Sequence, residues 1–176
     1  MKILLILFLL CGVVEGAEIV DIDIIIQIES SGNEFAHNEQ SDAKGLMQIT
    51  PVCLAEFKQF HKGKFVARTE DWGDWKYSAK WNAYEIRDEW DLFIPQVNVM
   101  IGYWYINNRI PQMLKAYKIY PSIKDLDLYI IACYNWGIGR VVKWHRAGAE
   151  YKKLPQETRR YYERYVQIKS NKLEKR

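Results

Sequence analysis

Glu29 is the residue whose setting most suggests chemistry. Ile22, Ile25, Ile26 and Glu29 fall at i, i+3, i+4 and i+7, so a helix here carries the glutamate on its apolar face. The break Ser30-Ser31-Gly32-Asn33 follows directly, which places Glu29 in the last turn. A carboxyl group drawn into apolar surroundings keeps its proton to higher pH, and the carbonyl end of a helix acts in the same direction. A general acid working near neutral pH needs those conditions. A period-two reading through Ile22, Ile24, Ile26 and Ile28 would give a strand instead, but it leaves Glu29 against the break without a reason for its position.

Other constellations are missing. His37, His61 and His145 have no metal-ligand spacing with one another or with the cysteines. The chain has no glycine loop of the phosphate-cradling kind and no nucleophile motif around a serine. What is left is one buried acid in a chain rich in aromatics, with seven Trp and twelve Tyr able to act as core filler or as stacking platforms for sugars.

The elements that must position Glu29 read as mainly helical. Gly45-Leu46-Met47-Gln48-Ile49 is a short apolar stretch ending at Thr50-Pro51, where Thr caps a new helix, Pro takes its first position, and Leu54 and Phe57 face the core. From Gly63 to Asp91 the pattern is poor, and the sequence predicts a long loop with short pieces of structure. Helical spacing returns after Pro95 with Val97, Ile101 and Tyr105 and continues to Met113 and Leu114, with a kink at Pro111. Ser122 and Asp125 read as a capping pair for a helix carrying Leu126 and Ile130 that ends at Tyr134-Asn135-Trp136-Gly137. A final helix starts at Pro155 and carries Tyr161, Tyr162 and Tyr165 into a charged, frayed tail.

At 176 residues with 49% hydrophobic and 27% charged residues, the chain suits one globular domain and leaves disorder to the ends. Met1-Lys2 followed by the apolar run Ile3 to Leu10 reads as an export signal over residues 1–16, too short to span a bilayer, with the mature chain starting near Ala17 and a retained N-terminal anchor as the rival reading. Residues 17–170 then form the domain, and 171–176 a charged tail. Large Leu10 before Cys11 argues against lipidation, so Cys53 and Cys133 are the cysteines of the mature chain, either as a disulfide or as two buried thiols. The net charge of +3 suits an anionic polymer of either wall or nucleic-acid type. The export signal disfavours the nucleic acid.

From about Ile22 to Tyr165 the chain resembles the soluble lytic transglycosylase (SLT) family of the lysozyme-like superfamily. Four blocks in order carry the resemblance: Glu29-Ser30-Ser31-Gly32-Asn33; Gly45-Leu46-Met47-Gln48-Ile49-Thr50-Pro51; Cys133-Tyr134-Asn135-Trp136-Gly137; and Leu154-Pro155-Gln156-Glu157-Thr158 followed by Tyr161. Each block alone is weak, but four in order are specific. The resemblance implies a mainly α, goose-type lysozyme-like fold with a catalytic cleft. It also implies cleavage of the bond between N-acetylmuramic acid and N-acetylglucosamine in peptidoglycan strands, without water, metal or organic cofactor, outside the cytoplasm in the periplasm or as a secreted protein. Glu29 is then acid and base in turn. Met47 and Gln48 line the sugar groove, Tyr134 hydrogen-bonds Glu29, and Asn135 lines the same cleft.

Two departures matter. Where the family usually has Ser six residues before the glycine of the Gly-Leu-Met-Gln block, this chain has Glu39, and where it usually has Gly beside Ala it has Asp42. Ser41 replaces the serine only through a local shift. Goose-type lysozymes share the block and can carry a water-activating carboxylate at the same distance, so a Glu39 that reached the cleft would make the enzyme a hydrolytic muramidase. A non-catalytic glycan-binding module, with Trp72, Trp75 and Trp136 stacking on sugars and Glu29 structural, is the rival from another class. Partners among envelope complexes are not specified by the sequence.

Overall fold

The structure, a computed structural model, describes residues 20–61, 64–68 and 81–175. The expected export signal, Cys11, Trp72 and Trp75 lie outside the described residues. Among those described, no helix is long and apolar enough to cross a membrane.

The first helix, α1 (Ile22–Glu29), is fixed at both ends by local chemistry. The Asp21 carboxylate accepts hydrogen bonds from the Asp23 and Ile24 amides at 3.1 and 3.4 Å, satisfying donors that a helix start otherwise leaves open. At the far end the Ser30 hydroxyl donates back to the Ile26 carbonyl at 3.2 Å, and Ser31 and Gly32 turn left-handed with φ of 54° and 83°. Ile22, Ile24, Ile25 and Ile26 are buried, so helix rather than strand is correct and Glu29 closes its last turn.

A minimal hairpin follows, β1 (His37–Asn38) against β2 (Ala43–Lys44). The glycine-led block then folds back as a tight turn in which Lys44 and Ile49 exchange backbone hydrogen bonds of 3.1 and 3.0 Å. Gly45 needs its glycine twice over: its φ is +75°, and a Cβ there would sit 2.3 Å from both the Leu92 carbonyl oxygen and Asn98 Nδ2. Helix α2 (Pro51–His61) starts as predicted, with the Thr50 hydroxyl accepting from the Cys53 amide at 3.3 Å and Leu54 and Phe57 buried.

Between Gly63 and Asp91 the described residues include the short pieces of structure expected there. These are an antiparallel pair, β3 (Lys64–Arg68) and β4 (Trp81–Glu85), in register Lys64↔Glu85 to Arg68↔Trp81, and then a 3-10 turn over Glu89–Phe93. Five-residue strands so far apart in sequence are too short for a periodicity to stand out.

Helix α3 (Pro95–Trp104) runs through a π-helical turn, Tyr105–Arg109, into α4 (Ile110–Ala116). The kink expected at Pro111 takes this form. Pro111 offers no amide and its ring crowds the preceding turn, and a widened turn directly before it relieves both. Arg109, on that turn, forms an ion pair with Glu56 of α2 and lies 4.6 Å from the Phe60 ring centroid, fastening the two helices.

Ser122 and Asp125 bond each other, Oγ to Oδ2 at 2.5 Å, and the Asp125 side chain caps no amide of α5 (Leu126–Trp136). Gly137, φ +92°, separates α5 from α6 (Ile138–Arg146), a helix the sequence reading missed. Only Val141, Val142 and Trp144 of its nine residues are buried. The last helix, α7 (Gln156–Glu174), begins after Pro155 as predicted. It also continues through residues 171–174, read from sequence as the start of a frayed tail. Lys172 holds it there by pairing with Asp21 and Asp23 at 2.9 and 3.1 Å.

Helix α7 packs against α1 and α5. Buried Tyr165 accepts a hydrogen bond from the Asp21 amide at 3.0 Å, so the two most distant helices are joined at the start of α1. Cys53 and Cys133 are free, buried thiols, each pushed up to about 12 mainly by burial, which makes them unreactive core residues.

Candidate active site

Glu29 lies half-buried at the end of α1, and the Tyr161 hydroxyl of α7 donates a hydrogen bond to its Oε1 at 2.8 Å. Burial pushes the Glu29 carboxyl up from 4.5 to about 7. The Tyr161 hydrogen bond, which favours the carboxylate, offsets part of that rise, and the negative charge of Glu157 on the first turn of α7 adds a smaller push upward. Such a group is divided between acid and conjugate base at neutral pH, so it can give a proton and later take one back.

Tyr134 of α5 is in the same place but does something other than predicted. Its hydroxyl donates to the Met47 backbone carbonyl at 2.5 Å, and the bond to Glu29 comes from Tyr161. Burial and the nearby Glu29 charge push both phenols well above their ordinary range, so both remain donors. The Tyr105 ring lies 6.2 Å from that of Tyr134 and extends the aromatic surface towards α3. Replacing Tyr134 with Phe leaves the Met47 carbonyl without this donor and is expected to cost about 1–2 kcal/mol of stability, read as a lower thermal midpoint. A Tyr134→Phe protein as stable as the parent would contradict that assignment.

Met47 is also corrected. Its side chain has no exposure and its sulfur packs where Gly102 carries no Cβ, so it fills the core and meets the site only through its backbone. Gln48 has φ +48° and is half-buried, with Nε2 donating to the Ala36 and Gly45 carbonyls at 3.1 and 3.0 Å. Asn135 accepts at Oδ1 from the Thr158 hydroxyl at 2.7 Å, joining α5 to α7 beside Tyr161.

Glu39 and Ser41 are both exposed in the turn between β1 and β2, where the Asn38 side chain accepts from the Gln40 and Ser41 amides at 3.0 and 3.3 Å. Among the described residues Glu39 makes no hydrogen bond or ion pair, which is the behaviour of a solvated loop. Trp136 is half-buried against the core at the end of α5. The three histidines sit apart: His37 bonds Asp42 at 2.8 Å, His61 stacks on Phe57 at 4.3 Å, and His145 meets the Tyr129 hydroxyl at 2.7 Å.

Sequence reasoning gave Tyr161 and Glu157 no part in this site. A signal for Tyr161 was present: Thr158, Tyr161 and Tyr165 fall at i, i+3 and i+7, and the outer two are buried. Tyr161→Phe removes the bond that favours the carboxylate, so Glu29 is expected to titrate still higher and the alkaline fall in rate to move to higher pH. A shift of that limb to lower pH would refute the role.

No curated protein matches the chain. Residues 17–71 match the family model of the transglycosylase SLT domain, a segment that holds Glu29 and the glycine-led block. The two later blocks lie beyond the match, and Tyr134 and Tyr161 within them are the residues gathered around Glu29. That segment, which bears Glu29, is thus similar to the transglycosylase SLT domain, a family of the lysozyme-like superfamily.

Proposed function

We propose that this protein is an exported lytic transglycosylase acting on peptidoglycan glycan strands, with residues 1–16 as its signal and 17–170 as its catalytic domain. The observation that carries the reading is the single carboxyl group of Glu29, raised to about 7 and hydrogen-bonded by Tyr161. Protonated Glu29 gives its proton to the glycosidic oxygen as the bond from C1 of N-acetylmuramic acid breaks. The Glu29 carboxylate then takes the proton of that sugar's C6 hydroxyl while O6 bonds to C1. The product is a 1,6-anhydro end and a free N-acetylglucosamine hydroxyl, and Glu29 is again protonated. No second carboxylate and no water are consumed, unlike the paired-acid hydrolases.

Two features favour this over hydrolysis or mere binding. Glu39 is exposed and makes no hydrogen bond or ion pair among the described residues, which favours a solvated loop residue over a positioned water-activating base. A purely structural glutamate would gain nothing from burial that keeps it half-protonated at neutral pH. Gln48 and Asn135 are the proposed substrate-facing polar groups, and Ser41 and Glu39 lie in the turn between β1 and β2.

The test is digestion of purified peptidoglycan followed by mass spectrometry of the soluble muropeptides. Anhydro ends, one water lighter than reducing ends, are expected. Reducing ends instead would make the protein a muramidase and bring Glu39 into the reaction, and no release at all would leave a binding module.

A further inference from the structure

Away from Glu29, three aromatic rings form a surface shelf, Phe35 and Trp90 exposed and Phe93 half-buried between them. Phe93 lies between Phe35 and Trp90, with ring centroids 6.4 and 5.9 Å away and planes tilted by only 35° and 33°. Phe35 is 68% exposed and Trp90 63%, which is costly for side chains of this size unless something covers them. The shelf is supported from within. The Lys44 ammonium, itself 1% exposed, sits 5.8 Å from the Trp90 ring centroid and is held by ion pairs to Asp42 and Glu89. His37 meets the edge of Phe93 at 6.4 Å. A buried lysine on the inner side of an indole fixes the ring and leaves the outer face to solvent.

The shelf is continuous with the site. Phe35 and His37 flank Ala36, whose carbonyl accepts from Gln48 Nε2 at 3.1 Å and from the Gly45 amide at 2.8 Å. Phe35 comes six positions after Glu29, so the chain allows no more than about 22 Å between them. The turns Asn33→Ser30 and Ala36→Asn33 shorten that span further.

We propose that Phe35, Trp90 and Phe93 form a sugar-stacking subsite that holds a distant part of the glycan strand while Glu29 acts on the scissile bond; the proposal rests on the glycan-cleaving reading. Pyranose rings present a row of polarised C–H groups that rest against the negative face of an aromatic ring. A strand of repeating sugars can cover such a shelf by ring stacking alone, and Asp42 and Glu89 beneath it are already paired with buried Lys44.

The test uses the full protein carrying Glu29→Gln, so that the ligand is not consumed, and measures its binding to glycan strands stripped of peptides. Adding Phe35→Leu and Trp90→Leu together is expected to weaken binding by about tenfold. Trp90→Phe alone, which keeps a ring, retains most of the affinity. Because both side chains are exposed, the variants should melt with their parent, and with Glu29 intact the leucine pair should raise KM on long strands while leaving cleavage of short oligosaccharides unchanged. Equal binding by the leucine pair, with the parent enzyme releasing product, overturns the subsite alone. Absence of product from the parent enzyme overturns the cleaving reading and the subsite with it.

Discussion

Replacing Glu29 with Gln is expected to abolish strand cleavage and, at pH 8, to make the protein more stable. The loss of rate should reach about 10³-fold or more, because one side chain supplies the proton for bond breaking and removes the proton for ring closure. The gain in stability follows from linkage. The folded-state value of about 7 stands above the unfolded value of 4.5, so the folded protein holds a proton that the unfolded chain gives up between those limits. Below about pH 4.5 both states are protonated and the burial carries no ionic penalty. As pH rises the penalty grows, and above about 7 it is complete, corresponding to roughly 3 kcal/mol. Glutamine escapes it and can still accept from Tyr161. Thermal midpoints of the two proteins should therefore nearly coincide at pH 4 and diverge at pH 8 in favour of the variant. Parallel curves across that range would show that Glu29 titrates in the ordinary carboxylate range, and the proposed acid would be lost.

The largest loss of stability is expected at Asn98, a residue with no exposure and no contact with the reacting atoms. Its Oδ1 accepts from the Met47 amide at 2.8 Å, and its Nδ2 donates to the Lys44 and Leu92 carbonyls at 2.7 and 2.8 Å. One amide thus fastens α3 to the glycine-led turn and to the 3-10 turn that bears Trp90. Asn98→Ala leaves three buried backbone groups without partners, each costing about 1–3 kcal/mol before any water enters. A loss of about 4 kcal/mol and a fall of about 10 °C in thermal midpoint are expected. Asn98→Asp should be at least as damaging, because it keeps the acceptor but turns a carboxylate towards two carbonyl oxygens. A midpoint within about 2 °C of the parent for Asn98→Ala would mean the three bonds are dispensable.

Local signals account for what the sequence revealed. The helix with Glu29, the Thr50-Pro51 start of α2 and the tyrosine stripe of α7 are each written in a few adjacent residues, through spacing or capping. What the sequence concealed depends on distance. Whether Tyr134 or Tyr161 reaches Glu29 depends on how α5 and α7 cross, and no residue near either tyrosine records that. Met47 is apolar and lies within the glycine-led turn, but its burial is decided by the missing side chain of Gly102 on α3. Asn98 sits on an otherwise apolar face of α3 beside Val97 and Ile101, where its polarity was a clue to a partner though not to which one. The β3–β4 pair was illegible for a different reason, its five-residue strands being too short for a period to stand out, whereas α6 was overlooked although Ile138, Val141 and Val142 keep helical spacing.

The joining of α1 to α7 also sets an order of events. Tyr161 meets Glu29 across 132 positions of sequence, and Tyr165 and Lys172 fasten the start of α1 across 144 and 151. Contacts of that separation form late, because a long loop must close before they contribute anything. Until then Glu29 is solvated, titrates as an ordinary carboxylate and is fully ionised at neutral pH. A growing or unfolded chain is therefore a poor acid. In the proposed enzyme, therefore, the arrival of the last helix completes the acid, and an unfinished chain would not yet cut glycan.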